Sequence, residues 1–167
     1  SCTKQGWVAA GMNMRGCGIP LTTPRVYNGA YTGDLRSVVH ILSRRVSQMC
    51  IVGNSLSANL VAKYLGEEGR NHSLPLSVKA GFTLGNPMAF DSRNTHAIAS
   101  PIIAQGIKIE ILKVFRNLLP MMKLDRYYYR ESIYGMLRAW SLADLDRAAC
   151  KAFCRNDGNV FRIGYQD

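Results

Sequence analysis

One short stretch, residues 49–66, does most to limit the folds open to this chain. An apolar run, Met49–Val52, leads directly into the small and polar residues Gly53–Ser57. Apolar side chains then recur at helical spacing on one face: Leu56, Leu60, Val61, Tyr64 and Leu65. The stretch therefore predicts a strand, a very sharp turn and a helix.

The predicted turn has a serine at its tip. Ser55 stands between Gly53 and Ser57, each two residues away. This spacing approximates the G-x-S-x-G pattern of a nucleophile elbow, in which Asn54 and Leu56 occupy the two variable positions. Such a turn crowds the strand against the helix, and glycine relieves the crowding because it lacks a Cβ atom. Ser57 replaces the second glycine with a residue nearly as small. Small residues in a strand-to-helix turn also serve phosphate binding or simple packing, so the turn alone leaves these alternatives open.

Length and charge narrow the class of protein. The 167 residues favour one domain with a sizeable core. Lysine and arginine exceed the acidic residues enough to give a formal net charge of +10, which can indicate a nucleic-acid or membrane-surface partner. The basic residues are scattered singly or in pairs, so a solvated basic surface is the favoured interpretation and no nucleic-acid partner is expected.

The cysteines predict neither a disulfide framework nor a metal site. Their number is odd and their spacing irregular: Cys2, Cys17, Cys50, Cys150 and Cys154. Cys150 and Cys154 are four residues apart and would share one face of a predicted helix, but no second cysteine or histidine pair accompanies them, so zinc is not expected. No apolar run reaches 18 residues, and no signal-peptide pattern opens the sequence.

Along the chain, strand and helix patterns alternate and then give way to helices. The predicted strands are Trp7–Asn13, Met49–Val52 and Ser77–Leu84, and the predicted helices between them are Leu35–Val46 and Ser57–Leu65. Such alternation predicts an α/β fold in which the three strands are parallel neighbours. The second half predicts a helix ending before Pro120 and another opening with a capping box at Ser141 and Asp144.

Six blocks of sequence stand out by their order and spacing: residues 12–18, 20–25, 32–36, 53–59, 63–69 and 86–87. Together they resemble the middle of an α/β-hydrolase, and the resemblance covers Gly6 to about Phe90. The branch is that of plant embryogenesis-associated hydrolases, related bacterial esterases and α/β-hydrolase-domain phospholipases. Residues 1–95 would form the central part of the hydrolase domain and residues 96–167 a helical cap-like segment. The departures are Ser57 in place of the elbow glycine and a loop after Cys17 that is one residue shorter than usual.

The resemblance implies a serine esterase or lipase that acts on acyl esters, phospholipids or other lipids included, without a cofactor or metal. Ser55 would be the nucleophile, and the backbone N–H of Leu56 would donate to the oxyanion. The catalytic acid and histidine would come from strands beyond this chain, although Asp91 and His96 offer an internal alternative. No His-Gly block supplies the second oxyanion donor.

The chain is accordingly expected to be an incomplete portion, inactive alone, of a carboxylic-ester hydrolase. An intracellular or membrane-associated location is favoured, with any membrane association through segments outside these residues. The alternative is a non-catalytic relative that binds a lipid or a protein partner.

Overall fold

The computed structural model describes residues 2–22, 27, 29, 31–86, 99–118, 133–141, 143–145 and 147–148. After a 3-10 turn at Cys2–Gln5, the chain forms helix α1 (Gly33–Ser43), strand β1 (Met49–Asn54), helix α2 (Leu56–Arg70), strand β2 (Val78–Leu84) and helix α3 (Ala99–Leu118). Residues 133–138 are also helical.

The two strands form a parallel pair with α2 as the connection between them. The register runs from Met49 opposite Val78 to Asn54 opposite Leu84. The prediction of an α/β fold with parallel strands at these positions is confirmed. Both strands end at the same edge of the sheet, which is where α2 begins.

The prediction that Trp7–Asn13 is a third strand is wrong. No strand is assigned there, and the described sheet contains β1 and β2 only. Trp7 is 50% exposed and Val8 93% exposed, whereas a buried strand would cover both. Residues 7–11 are exposed, and only Met12 of the predicted strand, with Met14 beyond it, packs against the core from a non-strand backbone.

The core lies between α1, α2 and one face of the sheet. It consists of six buried side chains: Leu35, Val39, Leu60, Val61, Tyr64 and Val78. At Gly81 the helix comes so close that an added Cβ would collide with the side chain of Leu65. The opposite face of the sheet exposes more than half of Val52, Phe82 and Leu84. The sheet is therefore packed on one side by the helix that follows the turn.

The second half contains a smaller buried group: Ala104, Met136, Ala139 and Leu145. Lys108 Nζ donates to the carbonyl oxygen of Leu137 at 3.0 Å, which ties α3 to the segment after it. One half of the predicted capping box is present, since the Asp144 N–H donates to Ser141 Oγ at 3.1 Å, while the Asp144 carboxylate accepts from Ser141 Oγ at 2.6 Å. Pro120, Cys150, Cys154 and the proposed boundary at residue 95 lie outside the described residues. Within the described ranges, no helix has the length and apolarity needed to cross a membrane.

Candidate active site

The backbone of Ser55 is strained. It joins β1 to α2 with φ 55° and ψ −124°, a region that residues with side chains rarely occupy. Such a conformation costs roughly 1–3 kcal/mol and persists only where its surroundings enforce it. The Ser55 N–H donates to the carbonyl of Leu84 at 2.9 Å, and the Ser55 carbonyl accepts from the Ala58 N–H at 2.9 Å. The serine is thus tied to both strand β2 and helix α2, while its side chain is exposed.

Gly53 allows this turn to close. A Cβ atom at residue 53 would lie 2.7 Å from the carbonyl carbon of Ser57 and 2.8 Å from Ala58 Cα. Both are backbone atoms of the first turn of α2, so neither can move without moving the helix. The first small residue of the motif is therefore required by packing, and half-buried Ser57 is accommodated as the second.

Leu56 begins α2 directly after the strained serine. As the first residue of a helix, it carries an N–H group that has no acceptor within the helix. The positive end of the helix dipole lies at the same place. An N–H here, next to Ser55, is suited to stabilising a negative charge that develops on a bound carbonyl oxygen.

A preceding loop lies against this first turn. The Leu56 side chain occupies the space where Gly29 would carry a Cβ, at 2.5 Å from Leu56 Cδ1. Asn59 Nδ2 also donates to the carbonyl oxygen of Gly29 at 3.3 Å. The loop thus contacts α2 one and four residues after Ser55.

Tyr27 belongs to the same loop. Its hydroxyl is buried, and among the described residues it has no hydrogen-bond partner of good geometry. Burial raises the pKa of Tyr27, the nearby Ser57 side chain opposes that rise, and Cys17 adds to it. The Ser57 side chain therefore lies near the Tyr27 hydroxyl.

At its other end, α2 is held to α1 by what we call the glutamate cluster: Glu67 and Glu68 with Thr32, Arg36, Lys63 and Ser73. Glu67 accepts from Thr32 Oγ1 at 2.5 Å, from Arg36 Nη2 at 2.9 Å and from the ammonium group of Lys63. Burial opposes ionisation of Glu67, but the hydrogen bonds from Lys63, Thr32 and Arg36 hold its pKa below the ordinary value.

Glu68 is the buried member, with 5% exposure. It accepts from Arg36 Nε at 2.5 Å and from Ser73 Oγ at 2.7 Å. Ser73 and Arg36 lower the pKa of Glu68 against the effect of burial, and Glu68 in turn raises the pKa of Arg36. Arg36 thereby links α1 to two adjacent residues of α2.

A bidentate pair holds the segment before α1. Arg15 Nε and Nη2 donate to the two carboxylate oxygens of Asp34 at 2.5 and 2.6 Å, and the guanidinium lies 5.9 Å from the centre of the Tyr31 ring. Sequence reasoning missed the role of Arg15, Asp34 and the glutamate cluster. All of them except Ser73 lie within the blocks that carry the family resemblance, and the adjacent acidic pair on a helix was the available signal.

Asp91 and His96, the predicted internal partners of Ser55, lie outside the described residues. His72, the other histidine that follows Ser55 in the sequence, comes after the end of α2, so the 15 residues of that helix, roughly 22 Å at 1.5 Å per residue, separate it from Ser55. No group of three metal-ligating side chains occurs within the described segments.

The described structure is thus an α/β protein in which a parallel strand ends at a strained serine and a helix begins at once. The chain is 42% identical over 87 residues to embryogenesis-associated protein EMB8 of Picea glauca, covering 50% of this chain and 18% of that protein. It is 32% identical over 120 residues to a monoacylglycerol lipase of Saccharomyces cerevisiae, covering 69% of this chain and 26% of that protein. Over 72 residues it is 36% identical to monoacylglycerol lipase ABHD2 of Danio rerio, covering 41% of this chain and 17% of that protein.

These similarities support a relationship between this chain and the α/β-hydrolases of lipase and esterase type. The chain spans 17–26% of the length of these three relatives. No protein-family model matches it, and no solved structure does either.

Proposed function

We propose that this chain is the nucleophile-bearing portion of a serine hydrolase that cleaves acyl esters, with Ser55 as the nucleophile. The observation that carries the proposal is the strained backbone of Ser55, fixed by hydrogen bonds to β2 and α2 and made accessible by Gly53. Such strain is rarely kept unless the residue has a function. Simple packing would be met by an unstrained turn.

The chemistry follows that of other serine hydrolases. Ser55 Oγ attacks the carbonyl carbon of the ester while a histidine accepts the serine proton. The carbonyl oxygen becomes an oxyanion, and the Leu56 N–H donates to it. The histidine then returns the proton to the departing alcohol, and water releases the acyl group from Ser55 by the same steps. Removing one oxyanion donor costs serine hydrolases about 3–4 kcal/mol, so Leu56 matters nearly as much as the nucleophile.

We further propose that the acid and the histidine of the triad come from later strands of the complete protein. Asp91 and His96 are the internal alternative, since they follow β2, whose end lies beside Ser55. The substrate class that the relatives favour is a glycerolipid with one acyl chain, because two of the three similar proteins are named monoacylglycerol lipases.

A fluorophosphonate probe tests the nucleophile in the complete protein that carries this chain. The probe should label the protein, and Ser55→Ala should abolish labelling while Ser57→Ala, the matched control two residues away, should retain it. His96→Ala should also retain labelling if the histidine lies elsewhere. Hydrolysis of a monoacylglycerol, measured beside a phospholipid and a short-chain ester, then identifies the substrate class.

The opposite results lead to different conclusions. Labelling that survives Ser55→Ala would refute the assignment of the nucleophile. A folded complete protein that neither reacts with the probe nor hydrolyses any of the three esters would favour the alternative, a non-catalytic relative that binds a lipid or a protein partner.

A further inference from the structure

We propose that Gly29 is a positioning residue for the oxyanion donor, acting through the side chain of Leu56. The inference rests on the proposed function of Ser55 and extends it to a loop more than twenty residues earlier in the chain. We call the set of contacts between Tyr27 or Gly29 and residues 56, 57 and 59 the loop clamp.

Two direct contacts carry the inference. The Leu56 side chain fills the space beside Gly29 so fully that a Cβ at residue 29 would lie 2.5 Å from Leu56 Cδ1 and 2.8 Å from Leu56 Cγ. The carbonyl oxygen of the same glycine accepts from Asn59 Nδ2 at 3.3 Å. One loop residue therefore fixes both a side chain and a hydrogen bond in the first turn of α2.

The neighbouring Tyr27 extends the contact along the same turn. Its buried hydroxyl lies close to the Ser57 side chain, as the opposing effect of Ser57 on the Tyr27 pKa indicates. The loop clamp thus reaches Leu56, Ser57 and Asn59, which directly follow the proposed nucleophile. Contacts this concentrated restrain the part of α2 that would face the developing oxyanion.

The side chain that contacts Gly29 and the N–H proposed as the oxyanion donor belong to the same residue, Leu56. Leu56 is the first helical residue, and its N–H is not held by a hydrogen bond within the helix. A new Cβ that displaces Leu56 as a whole, and not only the end of its side chain, would displace the peptide that presents this N–H. A misplacement of 1 Å at a reacting centre can lower a rate by roughly 10²-fold.

The test compares four forms of the complete protein: unchanged, Gly29→Ala, Leu56→Ala and the double variant. Each is reacted with a fluorophosphonate at several concentrations, which gives a maximal labelling rate and a half-saturating probe concentration. Gly29→Ala should lower the maximal rate by at least about tenfold with an unchanged half-saturating concentration, because the damage lies in transition-state stabilisation and not in binding. The double variant should label at the rate of Leu56→Ala alone, since the added methyl group then has no side chain to displace.

Gly66→Ala is the matched control. Gly66 lies on the same helix, and a Cβ there would meet nothing within 4 Å. The variant should label at the unchanged rate. Hydrogen exchange of the segment from residue 54 to residue 59 should become faster in Gly29→Ala but not in Gly66→Ala.

Several results would overturn the proposal. These are an unchanged maximal rate in Gly29→Ala, a rise in the half-saturating concentration alone, or a further loss in the double variant relative to Leu56→Ala. If Gly29→Ala does not fold, the comparison of the double variant with Leu56→Ala still decides the question. If no form labels at Ser55, the proposed function fails, but hydrogen exchange still shows whether the loop clamp holds the turn.

Discussion

Replacing Glu68 by glutamine is the sharpest test of what holds α1 and α2 together. The substitution keeps the size and shape of the side chain but removes its charge. Glu68 is buried, and its carboxylate accepts from Arg36 Nε at 2.5 Å and from Ser73 Oγ at 2.7 Å. The change therefore weakens two hydrogen bonds without opening a cavity.

The expected loss in free energy of unfolding follows from these two bonds. Hydrogen bonds to charged groups contribute roughly 1.5–3 kcal/mol each. The amide can keep one weaker bond, and the Arg36 side chain is 43% exposed, so the guanidinium is not left buried without a partner. We therefore expect Glu68→Gln to destabilise the protein by about 2 kcal/mol, less than the roughly 3–5 kcal/mol for breaking a fully buried pair, because Arg36 stays partly in contact with water.

The pH dependence gives a second readout. The pKa of Glu68 is lower in the folded protein than the ordinary glutamate value of 4.5 that holds in the unfolded chain. Its contribution is therefore present above pH 4.5 and is lost as the pH falls through the folded-state pKa. Glu67, whose pKa is also lowered, titrates in the same window. In Glu68→Gln, the free energy of unfolding should therefore fall less steeply as the pH is lowered. Some of the fall should remain, because Glu67 still titrates.

The assay is urea unfolding at several pH values between 3 and 7 on the unchanged protein and two variants. The matched control is Glu110→Gln, since Glu110 pairs with Lys113 at the surface, with side-chain exposures of 69% and 65%. An exposed pair of this kind contributes about 0–1 kcal/mol, and its loss should leave the acid limb unchanged. Equal effects of the two substitutions, or an unaltered acid limb in Glu68→Gln, would refute the reasoning.

Three further substitutions test the turn and its support. Gly53→Ala should destabilise the protein by about 1–3 kcal/mol or more in urea unfolding, because its Cβ would press on backbone atoms of α2, whereas Gly66→Ala should be neutral or slightly stabilising. Equal stabilities would contradict this. Arg15→Lys should lower the free energy of unfolding by about 1 kcal/mol in the same assay, since lysine cannot form the bidentate bond to Asp34. An unchanged free energy of unfolding would show that this pair does not contribute to stability. Ser57→Gly should keep or raise fluorophosphonate labelling, and abolished labelling would show that the Ser57 hydroxyl is needed.

The spacing of apolar residues along the sequence correctly predicted two strands and two helices. The apolar run at Met49–Val52 and the alternation at Ser77–Leu84 became β1 and β2, and helical periodicity gave α1 and α2. The prediction of a strand at Trp7–Asn13 failed because a strand needs a hydrogen-bonding partner in space, which an apolar run does not guarantee; residues 7–11 are exposed. Met12 packs against the core from such a segment.

The end of α2 was placed too early for a different reason. Gly66 and Gly69 lower helix propensity, so the sequence favoured a stop near Leu65. The helix continues to Arg70 because Glu67 and Glu68 find partners on α1 and in the segment after α2. The partners Thr32 and Arg36 lie 31 to 35 residues away in sequence, so no local pattern could reveal these contacts.

The distribution of these contacts explains why α2 is held to α1 at the end of the helix that lies far from the Ser55 turn. A strained serine relaxes if the helix behind it can rotate or slide, since the turn has little structure of its own. The glutamate cluster fixes the last two turns of α2 to α1, and the Ser55 N–H bond to Leu84 fixes the strand side of the turn. The loop clamp then restrains the first turn of α2, where an oxyanion donor would have to lie. Weakening the glutamate cluster should therefore lower both stability and Ser55 labelling, whereas weakening the loop clamp should lower labelling more than stability.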